Sequence, residues 1–147
     1  MSNNVIEDLR DFYNNIGFFE FGFQVKTNVD ILDIRLTNII RIVNNMIYLF
    51  ENGRDIYFEY MQCAKSIKTT DYVIGMQRIL QVDDVQFVRA VLEEIKYQLY
   101  MFVLYTRNED LDKPTTLARI RDVRYSIILV INRFKDRYSK NHYISEN

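Results

Sequence analysis

Apolar residues recur at three- and four-residue spacing, on more than one side, through residues 27–52, TNVDILDIRLTNIIRIVNNMIYLFEN. One stripe is Leu32, Leu36, Ile39, Val43, Met46 and Phe50; a second is Ile31, Ile34, Ile42 and Leu49. Asp30, Asp33, Thr37, Arg41, Asn44, Tyr48 and Glu51 are left to form a narrow polar strip. A helix with a single apolar stripe packs one face, whereas a helix apolar on most faces lies inside something. The pattern therefore predicts a central helix covered by the others. Thr27 and Asp30 form its cap pair, Asn52-Gly53 ends it, and Ile39, Val43 and Met46 lie near the middle of the core.

Periodicity places five more helices and one strand around it. Val5, Leu9, Phe12, Tyr13 and Ile16 form a clean stripe over about 4–16, started by the Asn4/Glu7 spacing and stopped at Gly17. In the segment that follows, Phe19, Phe21, Phe23 and Val25 alternate with Glu20, Gly22, Gln24 and Lys26. That period of two predicts a strand over 19–26, which needs a partner for its backbone groups. A helix is expected over 56–67 with Tyr57, Tyr60, Met61 and Ala64 inward. A short one follows over 71–80, weakened by Gly75. Asp83 and Gln86 cap the next, which reaches about Thr106 with the stripe Val85, Val88, Leu92, Ile95, Leu99 and Phe102. After the polar loop RNEDLDK, Pro114 suits the first turn of a last helix reaching about Lys140. Its apolar face is Ile120, Val123, Ile127, Val130, Ile131, Phe134 and Tyr138, and the tail 141–147 is expected to fray. The fold class is all-α: one helical domain over 1–147, a bundle of five to six helices with one short β segment.

Composition narrows the functional classes. A chain with only four glycines and one proline has too few turn residues for an all-β protein but enough for long helices. A net charge of −1 supplies no global field for nucleic acid or an anionic membrane. The N-terminus has acids where a signal peptide has bases, and no window approaches the ~20 apolar residues of a membrane span. Cys63 is the single cysteine, which suits a reducing compartment. These features predict a cytoplasmic protein without a membrane span. Eighteen Ile, 13 Asn and 11 Tyr with no Trp match AT-rich codon usage, pointing to a low-GC genome such as that of a virus or phage. For a viral protein the compartment would be host cytoplasm or virion.

Charge is unevenly placed. Residues 1–60 carry nine acids and five bases, whereas 113–147 carry eight bases against three acids. On the last helix Arg119, Arg133, Arg137 and Lys140 flank the apolar face on one side, and Arg121, Arg124 and Lys135 on the other. Such bases either cover the core edge with their stems and pair with acids of the first helices, or meet phosphates. The neutral total favours the first.

Arg137 and His142 are four residues apart, in RYSKNH. That spacing resembles the R-x4-6-H motif of HEPN-family ribonucleases, which are small all-helical bundles. The resemblance implies a late helix supplying both residues, often across a dimer, and metal-independent RNA cleavage. Arg137 would stabilise phosphate charge and His142 would act as acid–base. Tyr138 stands where the family often has a polar residue.

Other catalytic patterns are missing. One His and one Cys do not make an ordinary zinc site, and the scattered glycines form no phosphate-cradling loop, so no metal or cofactor is expected. Asp83-Asp84 and Glu93-Glu94 read as solvated pairs, Asp30 and Asp33 with Arg41 as an intrahelical salt-bridge strip, and Cys63 as a small buried thiol. The leading expectation is a non-enzymatic interaction or assembly protein, a viral or phage structural or accessory component acting as oligomer or subunit. Its contact residues would be Phe19, Phe21, Phe23, Arg119, Arg133 and Arg137. The alternatives are the ribonuclease using Arg137 and His142, and a nucleic-acid module using the basic last helix, which is not favoured. Phe87, Val91, Tyr125 and Leu129 extend apolar surface beyond one face, and together with the unpaired strand they favour a protein partner or self-association.

Overall fold

The computed structural model describes residues 28–77, 82–138 and 144. These contain four helices and no strand: α1 Asn28–Glu51, α2 Tyr57–Gln77, α3 Val82–Arg107 and α4 Lys113–Tyr138. The helix expected over 4–16 and the strand over 19–26, with Phe19, Phe21 and Phe23, lie outside the described residues, as does His142. Each helix packs on two neighbours, in the ring α1–α2–α3–α4–α1, with α3–α4 the most extensive pairing. Short connections at residues 52–56 and 108–112 make successive helices antiparallel, as in an up-down bundle.

The ends of the helices follow from local chemistry. At the end of α1, Gly53 adopts φ +69, a left-handed conformation that costs glycine little. Its N–H donates to the Phe50 carbonyl at 3.1 Å, and the Arg54 N–H to Leu49 at 2.8 Å. Those two bonds are the Schellman pattern. Asp55 Oδ1 accepts from the Tyr57 N–H at 3.1 Å and opens α2. Asp112 caps α4, accepting from the Thr115 N–H at 2.8 Å. The hydroxyl and then the N–H of Thr115 hold its carboxyl below the usual carboxylate range.

Three helices bury the stripes that their sequences predict. In α1, Leu32, Leu36, Ile39, Val43 and Met46 are buried; in α3, Val88, Leu92, Ile95, Leu99 and Phe102; in α4, Ile120, Val123, Ile127, Val130, Ile131 and Phe134. α1 is not a central helix, however. It occupies one corner of the ring, and Ile34, Thr37, Arg41, Asn44 and Tyr48 face outward. A helix with two neighbours keeps one open side, so only part of the second stripe is covered. Val91, expected as surplus surface, is in the core, and Phe87 packs partly against it.

α2 differs most from expectation. The sequence pattern predicts a helix over 56–67 and a short one over 71–80, but a single helix runs from Tyr57 through Gly75 to Gln77. A mid-helix glycine costs only about 1 kcal/mol, too little to break a helix that packs on both neighbours. The inward face also differs. Ile56, Cys63 and Ile67 are buried, with Tyr60 against them, while Tyr57 and Met61 are exposed. The stripe Tyr57–Met61–Ala64 continues into Lys68, whose ammonium resists burial without a partner. The stripe from Ile56 instead ends on Thr70, whose hydroxyl accepts from Arg35 Nε at 2.7 Å and donates to the Ser66 carbonyl at 2.7 Å. A stripe that can be satisfied along its whole length is the one buried.

The tail has one described residue. Ile144 packs against the core, and its N–H and carbonyl bond the Asn132 side chain at 2.9 and 3.1 Å. This point of the segment expected to fray is tied to α4.

Truncating Ile39 or Met46 to Ala should cost about 2–5 kcal/mol in denaturant unfolding, because each is buried among large neighbours. A cost under about 1 kcal/mol would mean that the site collapses freely, contrary to this packing.

Candidate interaction surface

The fold divides the bases of α4. Lys135 is buried, and its Nζ donates to Asp33 Oδ1 of α1 at 2.5 Å. Arg124 donates to Asn44 Oδ1. Arg121 pairs with Glu51 at 2.6 Å, and Lys113 donates to the Glu51 carbonyl at 2.7 Å. These four bases form a polar seam down the α1–α4 contact. Asp33 therefore belongs to this seam, not to an intrahelical strip with Arg41, which bonds Asn38 instead.

The opposite flank holds the predicted contact residues. Arg119 and Arg133 are exposed. They are 14 residues apart, about 21 Å along the helix at 1.5 Å per residue, too far to act as one patch. Arg137 lies over the Phe87 ring of α3, 4.6 Å from its centroid, a cation–π contact across the helix pair. Its proposed partner His142 is outside the described residues, so the two are not brought together here. Phe19, Phe21 and Phe23 are likewise undescribed.

A different surface emerges on α2 and α3. Tyr57, Phe58 and Met61 occupy the first turns of α2 with relative exposures of 56, 67 and 44%. Tyr100 and Leu104 of α3 are also exposed. The Arg89–Asp71 pair, at 3.0 Å, marks the register of these antiparallel helices. Tyr57 lies 14 residues before Asp71 and Val103 lies 14 after Arg89, so Tyr57 is level with the Tyr100–Leu104 turn. Five large apolar or aromatic side chains thus share one end of the bundle. Beside them, Ile56, Arg54 and Asp55 line an open cleft of about 530 Å³ with Thr106, Leu111 and Lys113. Soluble monomers rarely expose contiguous apolar surface of this kind without a use for it. Sequence periodicity missed this surface because it placed Tyr57 and Met61 inward.

The surface carries little reactive chemistry. Cys63 is fully buried, and burial pushes its thiol up to about 12. No group of three or more His, Cys, Asp or Glu suited to a metal ion occurs among the described residues. No helix among them is long and apolar enough to cross a membrane. The chain matches no protein-family model, no curated protein and no solved structure.

The pair Asp33–Lys135 makes a sharp prediction. Lys135→Ala should cost about 3–5 kcal/mol, because it strands a buried carboxylate, whereas Asp33→Leu with Lys135→Met should recover most of that loss. Equal losses in the single and double variants, measured by urea unfolding, would show that the two side chains act independently.

Cys63 makes another. Its folded pKa lies above the ordinary value of 9.0, so between about pH 9 and 12 the unfolded chain releases this proton while the folded chain retains it. Stability is then lost as pH rises, by up to about 1.4 kcal/mol per pH unit. Cys63→Ala should remove that part of the alkaline slope, isolating it from the tyrosines and lysines. Identical slopes in the two proteins above pH 9 would contradict it.

Proposed function

We propose that the protein is a non-enzymatic interaction or assembly component whose α2–α3 face buries its aromatic side chains against a protein partner or a second copy. The exposed cluster Tyr57, Phe58 and Met61 carries this reading. Tyrosine and phenylalanine offer large contact area for little rotamer entropy, and they are enriched at interface centres. The neighbouring cleft gives an incoming apolar side chain a place to anchor. Phe19, Phe21 and Phe23, on a β segment over 19–26, would add backbone pairing to the same assembly. With the helix over 4–16, these would join the four described helices. Arg119 and Arg133 serve as charged rim contacts on α4, a role that exposed arginines fill without a dedicated phosphate site. The low-GC composition supports a viral or phage setting, in host cytoplasm or virion.

The test is association. Light scattering at micromolar concentration should give a mass above that of one 17.8 kDa chain, or the protein should co-purify with a fixed partner from its source. Phe58→Glu with Met61→Glu should abolish that association while changing stability by no more than about 0.5 kcal/mol per exposed site. A chain that stays monomeric and captures nothing contradicts the proposal. So does RNA cleavage that requires His142 and Arg137, which would establish the ribonuclease reading. Submicromolar nucleic-acid binding near 150 mM salt that weakens steeply with added salt would establish the third reading.

A further inference from the structure

The outer face of α4 carries a stripe that no described helix covers. Asp122, Tyr125, Leu129 and Asp136 follow one another at spacings of 3, 4 and 7 residues, which places them on one side of the helix. All four are exposed, Tyr125 and Leu129 among the large apolar side chains left in water. Asp136 is engaged within its own chain and stays exposed nonetheless. The order along the stripe is acid, aromatic, aliphatic, acid, and it spans 14 residues, about 21 Å.

The α2–α3 face presents the opposite order of charge. From Arg107 toward the start of α3, Leu104 comes after 3 residues and Tyr100 after 7. The Asp71–Arg89 pair places Lys68 level with Leu92, 15 residues from Arg107 and about 22 Å along the bundle. Exposed bases thus bracket the aromatic cluster, Arg107 at one end and Lys96 with Lys68 at the other. Glu93 is an exposed acid beside them, while Asp71 is held by Arg89. Lys65, on the outer side of α2, is half-buried and already engaged. α2–α3 is also the least extensive of the four helix pairings, so a groove is left open between the two helices.

Resting on the reading of this face as an interface, we propose that what fills it is the outer stripe of α4 on a second copy of this chain, docked head to tail. With Asp122 set against Arg107, Tyr125 falls on Leu104 and Leu129 falls on Tyr100 and Met61. Asp136 then reaches the level of Lys96 and Lys68. Arg133, one turn past Leu129, meets the turn that carries Glu93, so each charge on one surface faces its opposite on the other. The incoming α4 lies antiparallel to α3, a helix laid into the groove of a helix pair. A two-fold contact of the α2–α3 face with itself sets bases against bases instead. One orientation brings Arg107 to Lys68, and the other brings each base to its own copy. A contact between two different surfaces does not close on two copies, so association continues into a ring or a filament.

Light scattering with the full-length chain tests this. The mass of the unaltered chain should rise with concentration and pass that of two 17.8 kDa chains. Tyr100→Glu with Leu104→Glu blocks the groove, and Tyr125→Glu with Leu129→Glu blocks the stripe. Each double variant alone should remain a monomer. An equimolar mixture of the two should form a dimer and stop there, because one intact groove meets one intact stripe. Cys63 is buried and reports folding, since it stays unreactive toward a thiol reagent while the bundle holds. Should either double variant expose it, Arg107→Glu and Asp122→Arg decide: each alone should weaken association about fivefold or more, and their mixture should restore it. An unaltered chain that stays monomeric, a deciding mixture no heavier than its components, or a blocked variant that still dimerises alone overturns the proposal. A foreign partner from the source that is lost with the blocked groove and kept with the blocked stripe also overturns it, while leaving the α2–α3 interface in place.

Discussion

The bundle depends on closing the contact between its first and last helices. α1 and α2, and α3 and α4, are held together by short connections, so their pairing carries a small loop-closure cost. No such connection joins α1 to α4. That contact has apolar packing and a polar seam, in which Lys135 meets Asp33, Arg124 meets Asn44, and Arg121 and Lys113 converge on Glu51. The partners run in opposite directions along the two helices, so a slip by one turn would mismatch all of them. The buried pair matters most for this register. An exposed pair such as Arg121–Glu51 contributes at most about 1 kcal/mol, whereas a buried charge without its partner costs several. The seam penalises wrong registers more than it stabilises the right one.

How much of this was legible in the sequence depended on competition between stripes. α1, α3 and α4 each carry one dominant apolar face, and Ile39, Leu92 and Ile127 could be assigned from spacing alone. α2 carries two candidate faces of similar apolarity. Spacing cannot choose between Tyr57–Met61–Ala64 and Ile56–Tyr60–Cys63–Ile67. The choice is made by what each stripe runs into, a lysine in one case and a threonine with an arginine partner in the other. Asp33 was hidden for a related reason: its partner is 102 residues away, and no local pattern announces a contact of that range. Gly75 does not end α2, because propensity is a small local effect and packing along α2 is a larger one.

Exposed aromatic surface was legible in amount but not in place. Surplus aromatic surface is a property of composition. Its location follows from which face of α2 turns inward, so an error there moved the surface. The basic helix shows the opposite case. Counting charges along residues 113–147 suggested a patch, yet four of those bases are directed to α1, and Arg137 is held over Phe87. Net charge along a segment says little about charge presented to solvent when the segment is the edge of a core.

The exposed residues on α2 and α3 differ in how water receives them. Tyr57 and Tyr100 end in hydroxyls that remain satisfied in water, so their exposure is tolerable in a free chain. Phe58 has no such group and is the most exposed of the cluster. The five residues of the cluster divide between two tyrosines and the hydroxyl-free Phe58, Met61 and Leu104. An obligate interface would be expected to resemble a core cut in half, with aliphatic residues dominating. With three of its five residues lacking a hydroxyl, the cluster lies between a hydroxyl-tipped surface and a core cut in half, and the open cleft beside Ile56 adjoins it.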